Sequence, residues 1–319
     1  MRNKDKTYEP ADLTGVKRYP HAERASKAVV DSFGCPLEHL NGADFFDCLP
    51  QYLKANDLRN FIKAVGIARR AGKPFHVMMG AHVIKVGLSP IVIDLLRRGI
   101  ITSLSFNSAG LIHDLEVAFF GATSEDVLAG LADGSFGMVR DTAQLFARVC
   151  DIAEELRIGL GAAAGMLIRE REAPYMGYSL FASASELDIP ATIHAGIGTD
   201  IVAQHPEFDG AKVGAGSHRD FRILCSICAE IDRGGVIANL GSAVILPEVF
   251  LKALTVARNL NPGESQLTSA NFDMIAHYRP MMNVVSRPTH DAGKGYNFVG
   301  HHELMVPLLA WGLRREMEK

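Results

Sequence analysis

Lys294 has a glycine on either side, in the run Asp291-Ala292-Gly293-Lys294-Gly295-Tyr296. A lysine amine is a nucleophile only when neutral, so burial or a cationic neighbour would have to lower its pKa toward about 7; otherwise it is a solvated loop charge. Histidines gather late in the chain, as His277, His290, His301 and His302, with His194 and His205 before them. The His301-His302-Glu303 run lacks the i, i+4 spacing of a helical metal pair, so cleft contacts or a helix start are expected there, and no metal site. Cys225 and Cys228 form a C-x-x-C inside a predicted helix. A redox pair normally opens a helix, and no second pair completes a zinc site, so these read as buried apolar cysteines. The glycine-rich run at 159–165, GLGAAAG, is one residue too long for G-x-G-x-x-G and follows a charged helix. Close helix packing by small residues is the expectation for it.

Four further runs read as strand ends carrying small and polar residues: Asn107-Ser108-Ala109-Gly110, Gly198-Thr199-Asp200, Leu240-Gly241-Ser242 and Thr268-Ser269. At the carboxyl edge of a parallel sheet such residues let backbone N–H groups approach a phosphate, and helix N-termini there favour anions. Short turns between strand and helix use the same residue types, so this signal alone leaves both readings open.

The hydrophobic pattern supplies elements to carry these residues. It predicts helix over 43–72, strand over 75–79, helix over 84–98 and strand over 100–106. Helices follow over 141–157 and 178–187, then strand over 189–195 and helix over 221–232. The rest is strand over 235–240, helix over 246–260 and a last helix over 303–316. Apolar strands without polar alternation, separated by helices, imply an α/β fold. The expectation is a single Rossmann-like domain over 41–319, its mostly parallel sheet covered by helices on both faces. Residues 1–40 read as an N-terminal arm.

Composition sets the bounds. The 319 residues are 48% hydrophobic and 22% charged, with a net charge of −3. No basic field is available for nucleic acid or an anionic membrane. The polar N-terminus has no apolar signal core, and the apolar runs fall short of the roughly 18 residues of a spanning helix. Five cysteines do not pair into a disulfide framework, so the expected compartment is the reducing cytoplasm.

Several blocks, in order along the chain, resemble deoxyhypusine synthase. They are Gly80-Ala81-His82-Val83-Ile84-Lys85, Asn107 to Asp114, Ile189-Pro190 running to Thr199-Asp200, Gly234-Gly235-Val236, Phe272-Asp273, Arg287-Pro288 and Gly293-Lys294. The set spans about 40–315 and is most similar to the prokaryotic deoxyhypusine synthase-like branch.

The resemblance implies NAD as cofactor, a homotetramer with active sites at subunit interfaces, and transfer of an aminobutyl-type group from a polyamine such as spermidine to an amine acceptor. The acceptor is a protein lysine in the family, and a small amine such as putrescine or agmatine is the alternative here. The chemistry runs through an imine because an imine exchanges with another amine, whereas an amine does not leave.

Carried over residue by residue, Lys294 falls on the imine-forming lysine. Asn107, Ser108 and Ala109 fall on the turn that meets NAD, and Asp200 on an acid expected to hold a cofactor ribose. Gly235, Thr268 and Ser269 fall on further NAD contacts, and His301 and His302 where the family has an acid and a small residue. The polyamine end departs from the pattern. The family's paired glutamates fall on Ile112 and His113, an aspartate falls near His205, and a substrate-facing histidine falls on Leu240. His113, His205, His290 and Asp291 are therefore the candidates for an altered substrate pocket. Two other readings stay open: a non-catalytic NAD-binding regulatory paralogue, and an NAD-dependent amine dehydrogenase.

Overall fold

A computed structural model describes residues 45–263 and 265–319. The chain divides into two units, residues 1–55 and 56–319. The expected arm over 1–40 lies outside the described residues, and the described part of the first unit opens with the helical turn Phe45–Cys48.

The second unit is built on six strands: β1 (Phe75–Met79), β2 (Ser103–Asn107), β3 (Ala191–His194), β4 (Val236–Leu240), β5 (Thr268–Asp273) and β6 (Lys294–Val299). They pair in the order β3-β2-β1-β4-β5-β6, and every pairing is parallel. The sheet is thus wholly parallel, and all six strands leave it at one edge. The helices that matter below are α1 (Leu53–Arg70), α2 (Ser89–Arg97), α3 (Ser108–Phe120), α4 (Arg140–Glu155), α5 (Leu160–Glu170), α6 (Leu180–Glu186), α7 (Gly210–Ile231), α8 (Ile245–Leu260) and α9 (His302–Met317).

Each face of the sheet has its own apolar core. On one, Phe61 of α1 packs edge-on to Phe75 and Phe272, with Tyr296 and Phe298 beside it. On the other, Met78 and Ile237 meet Leu224, Cys228, Leu246, Phe250 and Leu254 of α7 and α8. Cys225 and Cys228 are free thiols buried in that layer. The expected helix over 84–98 is two, His82–Lys85 and α2, parted at Gly87. The glycine-rich run starts α5, where a side chain on Gly161 would fall 2.0 Å from the Ala191 carbonyl oxygen. It brings a helix against a strand and holds no phosphate loop. Among the described residues no helix is long and apolar enough to cross a membrane.

Two strands were not anticipated. Thr268-Ser269 was expected to end a strand, and instead it begins β5. Lys294 was read as part of a loop, and instead it begins β6. Their inward positions carry amides rather than aliphatic groups. Asn239 Nδ2 donates to Asn271 Oδ1 (2.8 Å), and Asn271 Nδ2 donates to Asn297 Oδ1 (2.9 Å), across three neighbouring strands. A second polar seam crosses the other half of the sheet. There His76 meets Ser103 (2.7 Å), Ser105 meets Thr192 (2.6 Å), and Thr192 meets His194 (3.0 Å).

Candidate functional site

With strand order 3-2-1-4-5-6, the chain reverses its direction of growth between β1 and β4, and ligands of such sheets sit beyond the carboxyl ends of the strands at that point. Backbone from β1 and β4 comes together there. Gly80 N donates to Leu240 O (2.9 Å), and a side chain on Gly80 would fall 2.4 Å from the Gly241 carbonyl oxygen.

The neighbouring strand β2 runs straight into α3. Asn107 caps the helix, its Oδ1 accepting from Gly110 N (3.1 Å). Ser108 is buried in the first turn and donates its hydroxyl to Asp200 Oδ2. Thr199 lies 3.3 Å from the same oxygen but gives its one hydroxyl proton to the Gly196 carbonyl at 2.7 Å. No donor among the described residues meets Asp200 Oδ1. Asp200 therefore presents a free acceptor oxygen beside a helix N-terminus.

A cleft of about 440 Å³ opens between α3, the segment over 120–139 and the loop after β3. Small-molecule sites span roughly 300–1,000 Å³. Ala109, His113, Glu116, Glu125, Asp200 and Lys85 contribute to its lining, with Ile112, Phe120, Phe136 and Val139 as apolar walls. Glu116 is the most elaborately held group. Its Oε1 accepts from Thr142 Oγ1 (2.9 Å) and its Oε2 from Thr123 Oγ1 (2.5 Å). Burial alone would raise the Glu116 pKa, but the donors around it, with His113, Thr123 and Thr142, outweigh burial and hold it below the ordinary value. His113 Nδ1 stands 2.6 Å from Thr123 Oγ1 and 3.7 Å from Glu116 Oε2. The second distance is too long for a hydrogen bond, so the link between imidazole and carboxylate runs through the threonine.

His205 stands behind the cleft wall, its Nε2 2.7 Å from the Gly137 carbonyl oxygen. Both Glu125 carboxylate oxygens accept from Gly137 N, at 3.0 and 3.1 Å. Gly137 has φ +77°, and a side chain there would fall 2.7 Å from Ile201 Cβ. His205 thus braces the segment that carries the cleft wall, and it is not among the residues that line the cleft.

On the far side of the switch point, His302 is buried at the start of α9 with Nε2 3.2 Å from the Phe272 carbonyl oxygen. Burial lowers its pKa, against the opposing pull of Phe272 and Asp273, so the ring is neutral and Nδ1 carries the lone pair. His82 packs against it, the ring centroids 5.5 Å apart. His302 Nδ1 and Asp273 Oδ2 are both buried without a partner. His301 caps α9 in solvent, 3.7 Å from Glu303.

The structure divides the expected site residues between opposite edges of the sheet. Asn107, Ser108, Ala109, Asp200, His301 and His302 lie at the carboxyl edge, and His113 lies in the cleft that opens there. Gly235, Thr268 and Lys294 lie at the amino edge, where Thr268 pairs with Lys294, and Ser269 is one residue further in. Ser269 donates to the Val284 carbonyl (2.6 Å), and Gly235 packs against Ile231 and Pro74, so both are spent on packing. His290 and Asp291 pair with each other at 3.2 Å, their side chains 83% and 86% exposed.

Lys294 itself is exposed, its Nζ 5.5 Å from the Tyr296 ring centroid. At about 3.3 Å per residue, the strand separates it from the carboxyl edge by about 16 Å, well beyond a lysine's reach. Within one chain it does not join Ser108 and Asp200. Within one chain, Gly235, Thr268, Ser269, His290 and Asp291 likewise lie apart from the cleft at the carboxyl edge.

Sequence reading missed Glu116, Thr123, Glu125, Thr142 and Lys85. One signal for Glu116 was present, because it lies four residues after Ile112 and three after His113, one turn along the same helix face. Among the described residues no group of three or more His, Cys, Asp or Glu side chains is placed to hold a metal ion.

No known family model matches the chain, and no curated protein matches it. Solved structures do share the fold. ArgZ, an arginine dihydrolase from the ornithine-ammonia cycle in cyanobacteria, superposes with a TM-score of 0.50 at 17% identity over 84% of this chain and 34% of its own. The chain spans about a third of that protein's length. A conserved LOR/SDH protein from Methanococcus maripaludis S2 gives 0.51 at 13% identity, covering 83% of this chain and 69% of its own. A structure assigned as a deoxyhypusine synthase from Entamoeba histolytica gives 0.47 at 9% identity, over 86% and 97% of the two chains, and carries no argument at that score. At these identities the likenesses establish the Rossmann-like α/β fold alone.

Proposed function

We propose that this chain is a nicotinamide-dinucleotide-dependent enzyme that acts on a primary amine in the cleft at the carboxyl edge of its sheet. The observation that carries the reading is the pair of carboxylates flanking that cleft. Asp200 offers a free oxygen beside the α3 N-terminus, as ribose-holding acids do in dinucleotide sites, and Glu116 is held ionised deeper in. A cationic amine is the natural guest of such an anion in a partly closed space. When bound, an oxidised dinucleotide supplies a hydride acceptor. The chain's own groups would seat its ribose at Asp200 and its phosphate charge near the Ser108 end of α3. ArgZ acts on the amino acid arginine by its printed name, which is compatible with an amine-handling relative without arguing for one.

Isothermal titration with NAD and with NADP tests cofactor binding. Absorbance of the reduced cofactor, followed with putrescine, agmatine and spermidine, tests turnover. Binding of neither dinucleotide would refute the reading. Turnover by the purified chain alone would exclude a non-catalytic paralogue.

The aminobutyl transferase implied by the resemblance is the finer alternative, and one observation favours keeping it. Lys85 lines the cleft, so an amine is at hand there although Lys294 is not. A transferase would carry its imine on Lys85 and show little net cofactor reduction, whereas a dehydrogenase would accumulate reduced cofactor. The homotetramer expected from the resemblance belongs to the same proposal, and sedimentation velocity measures it.

A further inference from the structure

A count of protons around Thr123 fixes the state of His113. Glu116 is an anion and only accepts. Thr123 has one hydroxyl proton, and it goes to Glu116 Oε2. The 2.6 Å contact to His113 Nδ1 therefore has the threonine oxygen as acceptor and Nδ1–H as donor. In the neutral ring the lone pair is then left on Nε2. No protein group among the described residues bonds Nε2, and the ring forms part of the cleft wall. An imidazole whose proton is fixed on one nitrogen, and which is backed through a hydroxyl by a partly buried carboxylate, is arranged as a general base.

We propose that His113 is the general base of the cleft, its Nε2 taking the proton of a primary alkylammonium substrate while Thr123 and Glu116 fix the ring's tautomer. The inference rests on the amine reading above and supplies the step that reading lacks. An alkylammonium has no lone pair, so hydride cannot leave its neighbouring carbon. R–CH₂–NH₃⁺ gives a proton to Nε2, leaving R–CH₂–NH₂ and an imidazolium. The C–H bond then breaks with its electron pair passing as hydride to the oxidised dinucleotide, and the nitrogen lone pair becomes the second C–N bond of R–CH=NH₂⁺. The imidazolium returns its proton to water. One ammonium and one oxidised dinucleotide give one iminium, one reduced dinucleotide and one proton.

His113 touches substrate in this scheme and is the catalytic residue, whereas Thr123 and Glu116 are positioning residues. The charged groups that share the cleft come from each surrounding element. Glu116 is on α3 itself, Glu125 on the segment over 120–139, Lys85 on the turn after β1 and Asp200 on the loop after β3. From α4 the group nearest Glu116 is the neutral Thr142 hydroxyl. Glu116 is the one linked to the ring, through the Thr123 hydroxyl.

Nitrogen-15 NMR of histidine-labelled protein, with neither cofactor nor amine present, tests the tautomer. Protonated Nδ1 and unprotonated Nε2 are expected for His113, with the preference lost in Thr123→Val. A wild-type ring protonated on Nε2 overturns the proposal. Added putrescine should shift the Nε2 resonance, and an unmoved Nε2 at saturating putrescine also overturns it.

In turnover with putrescine, His113→Gln is expected to lose at least about 100-fold in kcat near pH 7 and to recover steadily toward pH 10, as the amine sheds its own proton. Thr123→Val should lower kcat near pH 7 as the tautomer preference is lost and, like His113→Gln, recover as the amine sheds its own proton. A merely structural role would lower both variants equally at every pH, and that result would reject the base. A wild-type protein that shows the tautomer and the putrescine shift, yet never reduces a dinucleotide, would sink the cofactor reading and leave the base supported.

Discussion

Thr268 and Lys294 are a registered pair at the first positions of β5 and β6, on the opposite edge of the sheet from the contact between Ser108 and Asp200. Every strand runs the same way, so within one chain a residue that opens a strand lies a strand's length from the residues that close one. A Gly-Lys-Gly run looks like a loop over a ligand, and here it is the start of an edge strand.

Lys294→Ala should therefore leave NAD affinity unchanged within about twofold and stability within roughly 0.5 kcal/mol, as for other solvated surface positions. Borohydride trapping with putrescine and NAD, followed by peptide mass spectrometry, reads the same point chemically. Any adduct belongs on Lys85. An adduct on Lys294 would overturn the assignment of the cleft or require Lys294 from a second copy.

Asp200→Asn tests the cofactor side. Hydrogen bonds to a charged group contribute about 1.5–3 kcal/mol, which is roughly 10- to 100-fold in Kd. NAD binding by calorimetry should weaken by that factor, and thermal melting without ligand should show whether the fold is intact. A change under twofold in a folded variant would remove Asp200 from the site.

The sequence made the layered fold legible because β1, β2, β3 and β4 are short apolar runs followed by helices of clear period. Helix α7 was legible only in its second half. Its first turns, Gly210 to Arg219, mix glycine with charge and are held by the Asp209 cap, whose Oδ1 accepts from Ala211 N and Lys212 N. Strands β5 and β6 were illegible for a different reason. A run such as TSANFD meets none of the criteria for a buried strand until the neighbouring amides that satisfy Asn271 are known. The cleft followed the same rule. His113 was visible as a polar residue on a helix, but its partner Thr123 comes from beyond the helix end and Thr142 from another helix.

Burial gives the sheet a pH dependence of its own. His76 and His194 have pKa values depressed to about 3, chiefly by desolvation, with the His194 charge adding to the effect on His76. The unfolded chain binds protons on these rings at about 6.5, and the folded chain resists until far lower pH. Stability from both rings is fully present above about pH 6.5 and is lost as pH falls from there toward 3, at up to about 1.4 kcal/mol per pH unit for each ring. Asp114 and Asp220, which burial raises to about 6 and about 7, take up protons in the folded chain over the same range and oppose that loss, so the test is the difference between wild type and a histidine variant in urea midpoints from pH 7.5 to 4.5. His194→Gln, whose amide can still meet Thr192, should shift the slope of stability against pH by up to about 1.4 kcal/mol per pH unit toward greater stability at acid pH, and an unchanged slope would mean that His194 is not buried neutral.

The asparagine ladder predicts a mutational pattern that apolar packing does not. Asn271 is fully buried, accepts from Asn239 and donates to Asn297, so Asn271→Leu strands one donor and one acceptor inside the sheet. Each buried orphan costs about 1–3 kcal/mol, although the Asn239 amide keeps its second bond, to the Ser242 carbonyl. A loss of about 2–4 kcal/mol in urea unfolding is expected. Replacing both ends of a bond with apolar groups of similar shape is far cheaper than replacing one. Asn271→Leu combined with Asn297→Leu should therefore recover part of the loss rather than add to it, because Asn297 is half-buried and then has no orphan to hide. Strict additivity of the two substitutions would show that Asn271 and Asn297 are not bonded, and the register of β5 against β6 would have to be reconsidered with it.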